Sequence, residues 1–571
     1  MLFASFDFLL FFAVVFAGYW ALSRLWPLRA LWVIAASYFF YMAGSKPVDG
    51  PLPTPWYFAG LLLLSTVTSY LTGLGIERAR RRAIAEGAEV AAGDTGFRRG
   101  KGWLLFGLGV NLGLLGYFKY VGFLSEAAAE LAAMLGRPGL VSPLRLLLPV
   151  GISFYTFQSV GYVVDVYRGR SPAERRFLRF ALFLAFFPHL VAGPIVRAAD
   201  FLPQLDRKLQ LTRADVDFAL FRIAKGLVKK VLFGDFIAAS FVDRVFASPA
   251  EYGSAENLLA LYGFTLQIYC DFSGYSDIAI GTARLLGIRF PENFDRPYQA
   301  VDVADFWRRW HITLSSWLRD YVYYPLGGSR LGDARTYLNL WITMFLVGVW
   351  HGAGWTFVIY AVLQASAMVF NRFTRHEGVS WPGRLARAAF AAGAVFLFVA
   401  GFATIALQLP EPWLAGKVCA GLAFLIALLP RAEAWPSLRS VHVILTLHFC
   451  VLSRVFFRAD TLEGAREIAG KLVAWDGFGV RQGLFGNDAL LTLVSENPGL
   501  AWARPVADWC VLVLLLLGFA LHYVPAGAIA KSAERSLRRT PAVLAGIGFA
   551  LLIGALGVLL AGPRANIYFA F

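Results

Sequence analysis

Seven histidines are spread along the chain: His189, His311, His351, His376, His442, His448 and His522. An ionisable side chain inside an apolar stretch is expensive to keep there, so each such position is a functional hypothesis. His351 is the clearest case. It follows LNLWITMFLVGVW and precedes GAGWTFVIYAV, with apolar residues for many positions on both sides. Apolar surroundings keep an imidazole neutral, and a neutral imidazole can accept a proton, as a general base must. Gly352 and Gly354 leave room for a substrate or another chain segment to approach closely. A core histidine hydrogen-bonded to a neighbouring helix fits the same residues equally well.

His311 lies in VDVADFWRRWHITLSSWLRDYVYYPLGGSRLG, among Trp307, Arg308, Arg309, Trp310, Trp317, Arg319 and Asp320. This mixture suits a phosphorylated or carbonyl-bearing ligand, with arginine as anion clamp. It equally suits an interfacial aromatic belt flanked by cytoplasmic arginines. Only the fold could bring His311 to His351. His376 sits in a basic loop and reads as solvated, His442 and His522 lie near span ends, and His448 is mid-span without an acidic neighbour. FFPHLVAGPIVR puts His189, Gly193 and Pro194 at a helix break. CDFSGYSDIAIG puts Asp271 and Asp277 inside an apolar run, where they could cap broken helices or satisfy backbone donors.

The elements that must position these residues are membrane helices. The chain has 571 residues, of which 58% are hydrophobic and 16% charged, against about 25% charged in a soluble domain. Mean hydropathy is +0.59. The composition excludes a disordered, collagenous or disulfide-stapled chain and predicts an all-α polytopic membrane protein. Apolar runs near 4–22, 28–43, 56–75, 102–122, 145–166, 177–196, 257–286, 338–370, 388–408, 413–430, 440–457, 508–528 and 542–562 are candidate spans. The run 338–370 is too long for one upright span and holds two elements or one tilted helix. The first run lacks a basic flank and a cleavage site, so it reads as a retained helix.

The net charge of +16 reflects basic loops rather than nucleic-acid binding, because no basic soluble domain is present. Placing the basic clusters after 75, 166, 370 and 528 in the cytoplasm predicts extracytoplasmic N- and C-termini, with 458–507 as the largest extracytoplasmic loop. The four cysteines read as small buried hydrophobes. GxxxxGK[ST], HExxH, GxSxG and metal-spaced Cys/His sets are missing from the sequence, which argues against the usual ATPase, zinc protease and serine hydrolase. No metal is expected. No internal repeat suggests an inverted-repeat transporter.

The middle third is unusual. The segment 213–247 carries Lys225, Lys229 and Lys230 among apolar residues and reads as an interfacial helix, or a span whose lysines snorkel. The segment 290–335 is polar and aromatic between apolar runs. Such backbone survives at membrane depth only inside protein or against a wet cavity, so broken or re-entrant helices around a pocket are expected.

The blocks FFPHLVAGPIVR, DFSGYSDIAIGTARLLGIRFPENFDRPY, DFWRRWHITLSSWLRDYVYYPLGG and NLWITMFLVGVWHGAGWTFVIYA, in this order, resemble the membrane-bound O-acyltransferase (MBOAT) family. VFFRADTLEGA and the terminal ANIYFAF resemble its bacterial alginate O-acetylation branch. The resemblance covers roughly 145–370, with further echoes to the C-terminus. It implies one polytopic domain over 1–571: N-terminal helices 1–140, a catalytic core 145–370, and C-terminal helices 371–571. The implied fold is a shell of 11–13 membrane helices with re-entrant elements around a transmembrane tunnel.

It also implies that the family's essential histidine is His351, after Trp350, and that its second polar position is His311. Arg308, Arg309, Trp310, Arg319, Asp320 and Trp350 become donor-binding candidates. The implied reaction moves an acyl group, acetyl in this branch, from acetyl-CoA or another thioester to a hydroxyl on an exported polysaccharide. No bound cofactor is implied; periplasmic acyltransferase partners and the bacterial inner membrane are. D-alanyl transfer towards teichoic acid, transport without covalent chemistry, and a scaffolding role stand as alternatives. The loops 44–55, 80–101 and 470–505 are long for the branch.

Overall fold

A computed structural model describes residues 3, 5–44, 55–86, 98–374, 380–409, 411–430, 435–477, 485–486, 488–525 and 527–559. His376 and the terminal ANIYFAF lie outside the described residues, as do parts of the three long loops. The described residues form helices joined by short irregular segments and one isolated antiparallel bridge, Phe294 to Trp310. The chain is an all-α polytopic membrane protein. Among the described residues six helices are long and apolar enough to cross a bilayer, including Lys101–Met134, Trp355–Phe373 and Arg504–Tyr523. Phe6–Ala21, Pro412–Leu428 and Gly546–Leu556 are shorter apolar helices.

The outer helices turn large apolar side chains outward: Leu105, Phe390, Leu397, Leu425 and Leu516 are all exposed. A contiguous apolar surface of this kind is what lipid requires. The other apolar runs in the sequence are spent differently. The run 338–370 forms two helices, Asp333–His351 and Trp355–Phe373, with a break at 352–354. The run 177–196 divides into Phe177–Ala185 and Phe187–Leu190, then leaves helical structure through Gly193 and Pro194. Ile152–Tyr167 and the 32-residue Ser254–Leu285 are almost wholly buried inside the protein. The latter is about 48 Å long by helix geometry. Asn257, Asp271 and Asp277 along it find protein partners instead of facing lipid.

Those partners correct the reading of 213–247. Helix Arg213–Val228 continues into the π-helical turns Lys229–Asp235 and Ala238–Val242 and packs against Ser254–Leu285. The two backbones nearly touch where glycines face each other. A Cβ on Gly226 would lie 2.6 Å from the Gly274 carbonyl oxygen, and one on Gly274 would lie 2.8 Å from that of Gly226. At this seam Asp277 receives Arg222 at 2.6 Å, Lys225 at 3.2 Å and Lys229 at 2.9 Å. Lys230 bridges Asp235, at 2.7 Å, and Asp271. The lysines therefore have specific acidic partners, and the two aspartates lie within an unbroken helix rather than capping a broken one. They neutralise one another in a buried seam.

Candidate active site

His351 is the last residue of helix Asp333–His351 and is buried. The final carbonyls of a helix need outside donors, and helix Lys101–Met134 supplies two. Lys119 Nζ donates to the Trp350 carbonyl and Tyr120 Oη to the Val349 carbonyl, at 3.2 Å for the latter. The ammonium also lies 5.4 Å from the centre of the Trp350 ring. The imidazole of His351 packs against Trp350 and Phe457, at ring-centre distances of 4.9 and 5.2 Å. Among the described residues neither of its ring nitrogens has a hydrogen-bond partner.

Gly352 makes the break after His351, but a substrate does not fill the space it leaves. A Cβ there would lie 2.2 Å from the ring of Phe357, which in turn packs on Phe457 at 5.4 Å. A Cβ on Gly354 would meet only Phe357, at 3.9 Å. The room expected beside the histidine is thus taken up by the next helix.

His311 caps helix Ile312–Leu318 in a left-handed conformation, φ 45°, and is fully buried. Asn293 holds it there. The Asn293 carbonyl oxygen accepts the Ile312 N–H at 3.0 Å. Its Oδ1 accepts the Thr313 N–H at 3.3 Å, the Thr313 hydroxyl at 2.9 Å and His311 Nδ1 at 3.1 Å. An amide oxygen only accepts, so the proton of His311 is on Nδ1 and the lone pair on Nε2. Nε2 and the indole N–H of Trp350 are both buried and have no partner among the described residues. Buried polar groups are nearly always satisfied, so two orphans beside His351 mark a place built for something else to bind. His311 touches the Trp350 ring at 5.8 Å and lies near enough to His351 to interact with it electrostatically. The fold therefore unites the two histidines.

Two clefts meet at His351. One is lined by Lys119, Pro149, Val150, Phe154, Val191 and Trp350 as well as His351. The other is smaller and is lined by Ile268, Trp310, Tyr360, Arg454 and Phe457 with His351. Among the donor-binding candidates, Trp310 lines the second cleft and Trp350 the first. Arg308, Arg309, Arg319 and Asp320 line neither. Arg308 and Arg309 pair with Asp305, at 3.4 and 2.9 Å, and Arg309 also reaches Asp295. Asp320 is clamped by Arg197 at 2.6 Å and Arg319 at 2.9 Å.

The remaining described histidines hold structure. His189 Nε2 donates to the Phe183 carbonyl at 2.8 Å, bracing its helix break. His442 bonds the Pro430 carbonyl, His448 joins Ile444 to Tyr262, and His522 Nε2 accepts the Tyr298 N–H.

Asn293, Lys119 and Arg454 are the site residues that sequence reasoning missed. Lys119 had a signal, since it interrupts the apolar run GLLGYFKYVGFL, and the rule that singles out membrane histidines applies to it equally.

Comparison with known proteins follows the same residues. The profile of the family described as membrane-bound O-acyltransferase matches residues 170–406. A Pseudomonas aeruginosa protein named "Probable alginate O-acetylase AlgI" is 39% identical over 377 residues, covering 65% of this chain and 66% of its own. The Helicobacter pylori "Peptidoglycan O-acetyltransferase" is 30% identical over 545 residues, or 89% of this chain and 86% of its own. A Bacillus subtilis "Teichoic acid D-alanyltransferase" is 30% identical over 242 residues, or 40% and 60%.

Proposed function

The chain belongs to the membrane-bound O-acyltransferase family and is an acyltransferase integrated in the membrane, and from that premise we propose that it acetylates hydroxyls of a cell-envelope or exported polysaccharide. The observation that carries the reading is His351, buried where two clefts meet, with both ring nitrogens free of partners among the described residues. A group so placed can be reached by a donor from one side and an acceptor from the other, with water largely excluded.

In this reading acetyl-CoA or another acyl thioester enters from the cytoplasm of a bacterial cell, through the inner membrane face. The hydroxyl oxygen attacks the carbonyl carbon while His351 takes its proton. His311 Nε2, fixed as an acceptor by Asn293, accepts a hydrogen bond from a second O–H or N–H of the bound acceptor and so orients it, leaving the attacking hydroxyl's proton to His351. Collapse breaks the carbon–sulfur bond, and the thiolate recovers the proton from His351. Both chain termini lie outside the cell membrane, and a periplasmic acyltransferase partner completes delivery to the polymer. The relatives named for alginate support an exopolysaccharide acceptor. The match to the protein named for peptidoglycan extends over more of the chain and supports a wall polymer just as directly.

The test is transfer of labelled acetyl groups from acetyl-CoA into polysaccharide, with membranes matched for protein level. Loss of label in His351→Ala, with folding intact, supports the reading, and full labelling in that variant refutes it. Separating labelled exopolysaccharide from labelled wall fragments identifies the acceptor. Transfer from a D-alanyl carrier thioester instead would replace acetyl by D-alanine.

A further inference from the structure

We propose that Arg454 is a catalytic residue of this site, whose guanidinium binds the carbonyl oxygen of the acyl donor and holds the negative charge that develops there. The inference rests on the acyltransferase reading above.

Arg454 lies on helix Arg439–Arg458, is 4% exposed, and lines the smaller cleft together with His351. Its two flat contacts are aromatic: Trp310 at 5.2 Å and Tyr298 at 5.8 Å from ring centre to guanidinium carbon. Among the described residues no carboxylate pairs with it, and its Nε is buried without a partner. Three of the other buried cations have counter-ions: Arg179 has Asp206, Arg222 has Asp277 and Lys230 has Asp235, while Lys119 has only the Trp350 carbonyl. An uncompensated guanidinium inside a membrane protein is costly, so its retention beside the reacting histidine calls for an anion that is present only part of the time.

The rest of the cleft says which anion. Ile268, Trp310, Tyr360 and Phe457 form a small, mainly apolar wall that suits an acyl group rather than a charged sugar. A thioester carbonyl is neutral at rest and gains a full negative charge in the tetrahedral intermediate. As the hydroxyl oxygen bonds to the carbonyl carbon and its proton passes to His351, the C=O electron pair moves onto the oxygen, against Arg454. When that pair returns, the C–S bond breaks and the thiolate takes the proton back from His351. A preformed cation that meets charge only at that stage accelerates the step rather than tightening ground-state binding.

The experiment measures acetyl-CoA turnover by wild-type membranes, with His351→Ala as the reference for chemistry lost. If wild-type membranes do not turn over acetyl-CoA, the acetyl-CoA donor proposed above falls, and the same comparison is made with a D-alanyl carrier thioester. With turnover established, R454Q should lower kcat by roughly 10²- to 10³-fold, leave the KM for acetyl-CoA within about threefold, and leave the melting temperature in detergent unchanged. R454K should retain part of the rate, and added guanidinium should restore R454G by about tenfold. A kcat for R454Q within about threefold of wild type overturns the inference. So does a raised KM at unchanged kcat, which would make Arg454 a binding group. So does a rate loss that tracks an early melt and that guanidinium does not rescue.

Discussion

His311 and His351 are joined through a single indole: the centre of the Trp350 ring lies 5.8 Å from one imidazole and 4.9 Å from the other. The Trp350 carbonyl is itself tied to Lys119. The two imidazoles are thus positioned by packing and helix capping, without a hydrogen bond between them. Each has a different support, and each support is separately testable.

Replacing His351 by Ala or Gln removes the proposed base without changing any protein hydrogen bond. Acyl transfer should fall by about 10²- to 10⁴-fold, with the melting temperature in detergent within a few degrees of wild type. A variant that keeps more than a tenth of the rate would require another base.

Asn293→Ala deprives His311 Nδ1, Thr313 N and the Thr313 hydroxyl of one shared acceptor. The imidazole can then exchange tautomers, so kcat should fall by about 10- to 100-fold, the range seen when an orienting partner of a histidine is lost. Asn293→Asp keeps an acceptor at the same place and should retain more activity than Ala. If the two variants prove equal, the tautomer argument fails.

Lys119→Met keeps the length of the stem but leaves the Trp350 carbonyl without its donor. The cost of one unmatched buried acceptor is about 1–3 kcal/mol, visible as a lower melting temperature. Activity should drop as well, because that carbonyl belongs to the residue before His351. Lys119→Arg, which retains a donor, should recover part of both.

Gly352→Val should impair transfer by displacing the Phe357 ring that now occupies the space. Pairing it with Phe357→Leu should recover activity relative to Gly352→Val alone. A double variant no better than the single would show that the backbone, rather than the ring, sets the limit.

Asp277→Asn leaves Arg222, Lys225 and Lys229 sharing a seam with one fewer negative charge. Breaking a buried charge cluster in this way costs about 3–5 kcal/mol. The expected outcome is poor recovery of folded protein after detergent extraction, measured by size-exclusion chromatography. The seam is not among the residues lining the clefts, so surviving protein should retain its KM.

The sequence made His351 legible because one imidazole amid long apolar runs has no local explanation. It made the break at 186–197 legible through proline and glycine, and the length of the run 338–370 allowed for the two helices found there. It could not make Asn293 legible, since an uncharged amide in a loop acquires meaning only from the left-handed turn at His311 that it holds. Nor could it pair Lys225 and Lys229 with Asp277, because helical periodicity describes one helix at a time. Arg454 stands just before VFFRADTLEGA, and its lack of a counter-ion is a property of the surrounding helices. The apolar runs also overstate the number of lipid-facing spans, because Ser254–Leu285 and Ile152–Tyr167 are sheathed by protein.

The seam at Asp277 also constrains how the chain is made. Arg222, Lys225, Lys229 and Lys230 leave the ribosome well before Asp271 and Asp277. Until those acids arrive, the segment that carries the four cations cannot settle in hydrocarbon alone. Integration is expected to proceed as a hairpin: the stretch 213–235, which carries the four cations and only Asp235 beside Lys230, waits at the membrane surface or within the insertion machinery and enters together with Ser254–Leu285. Truncating nascent chains just before and just after Asp277 would locate that moment.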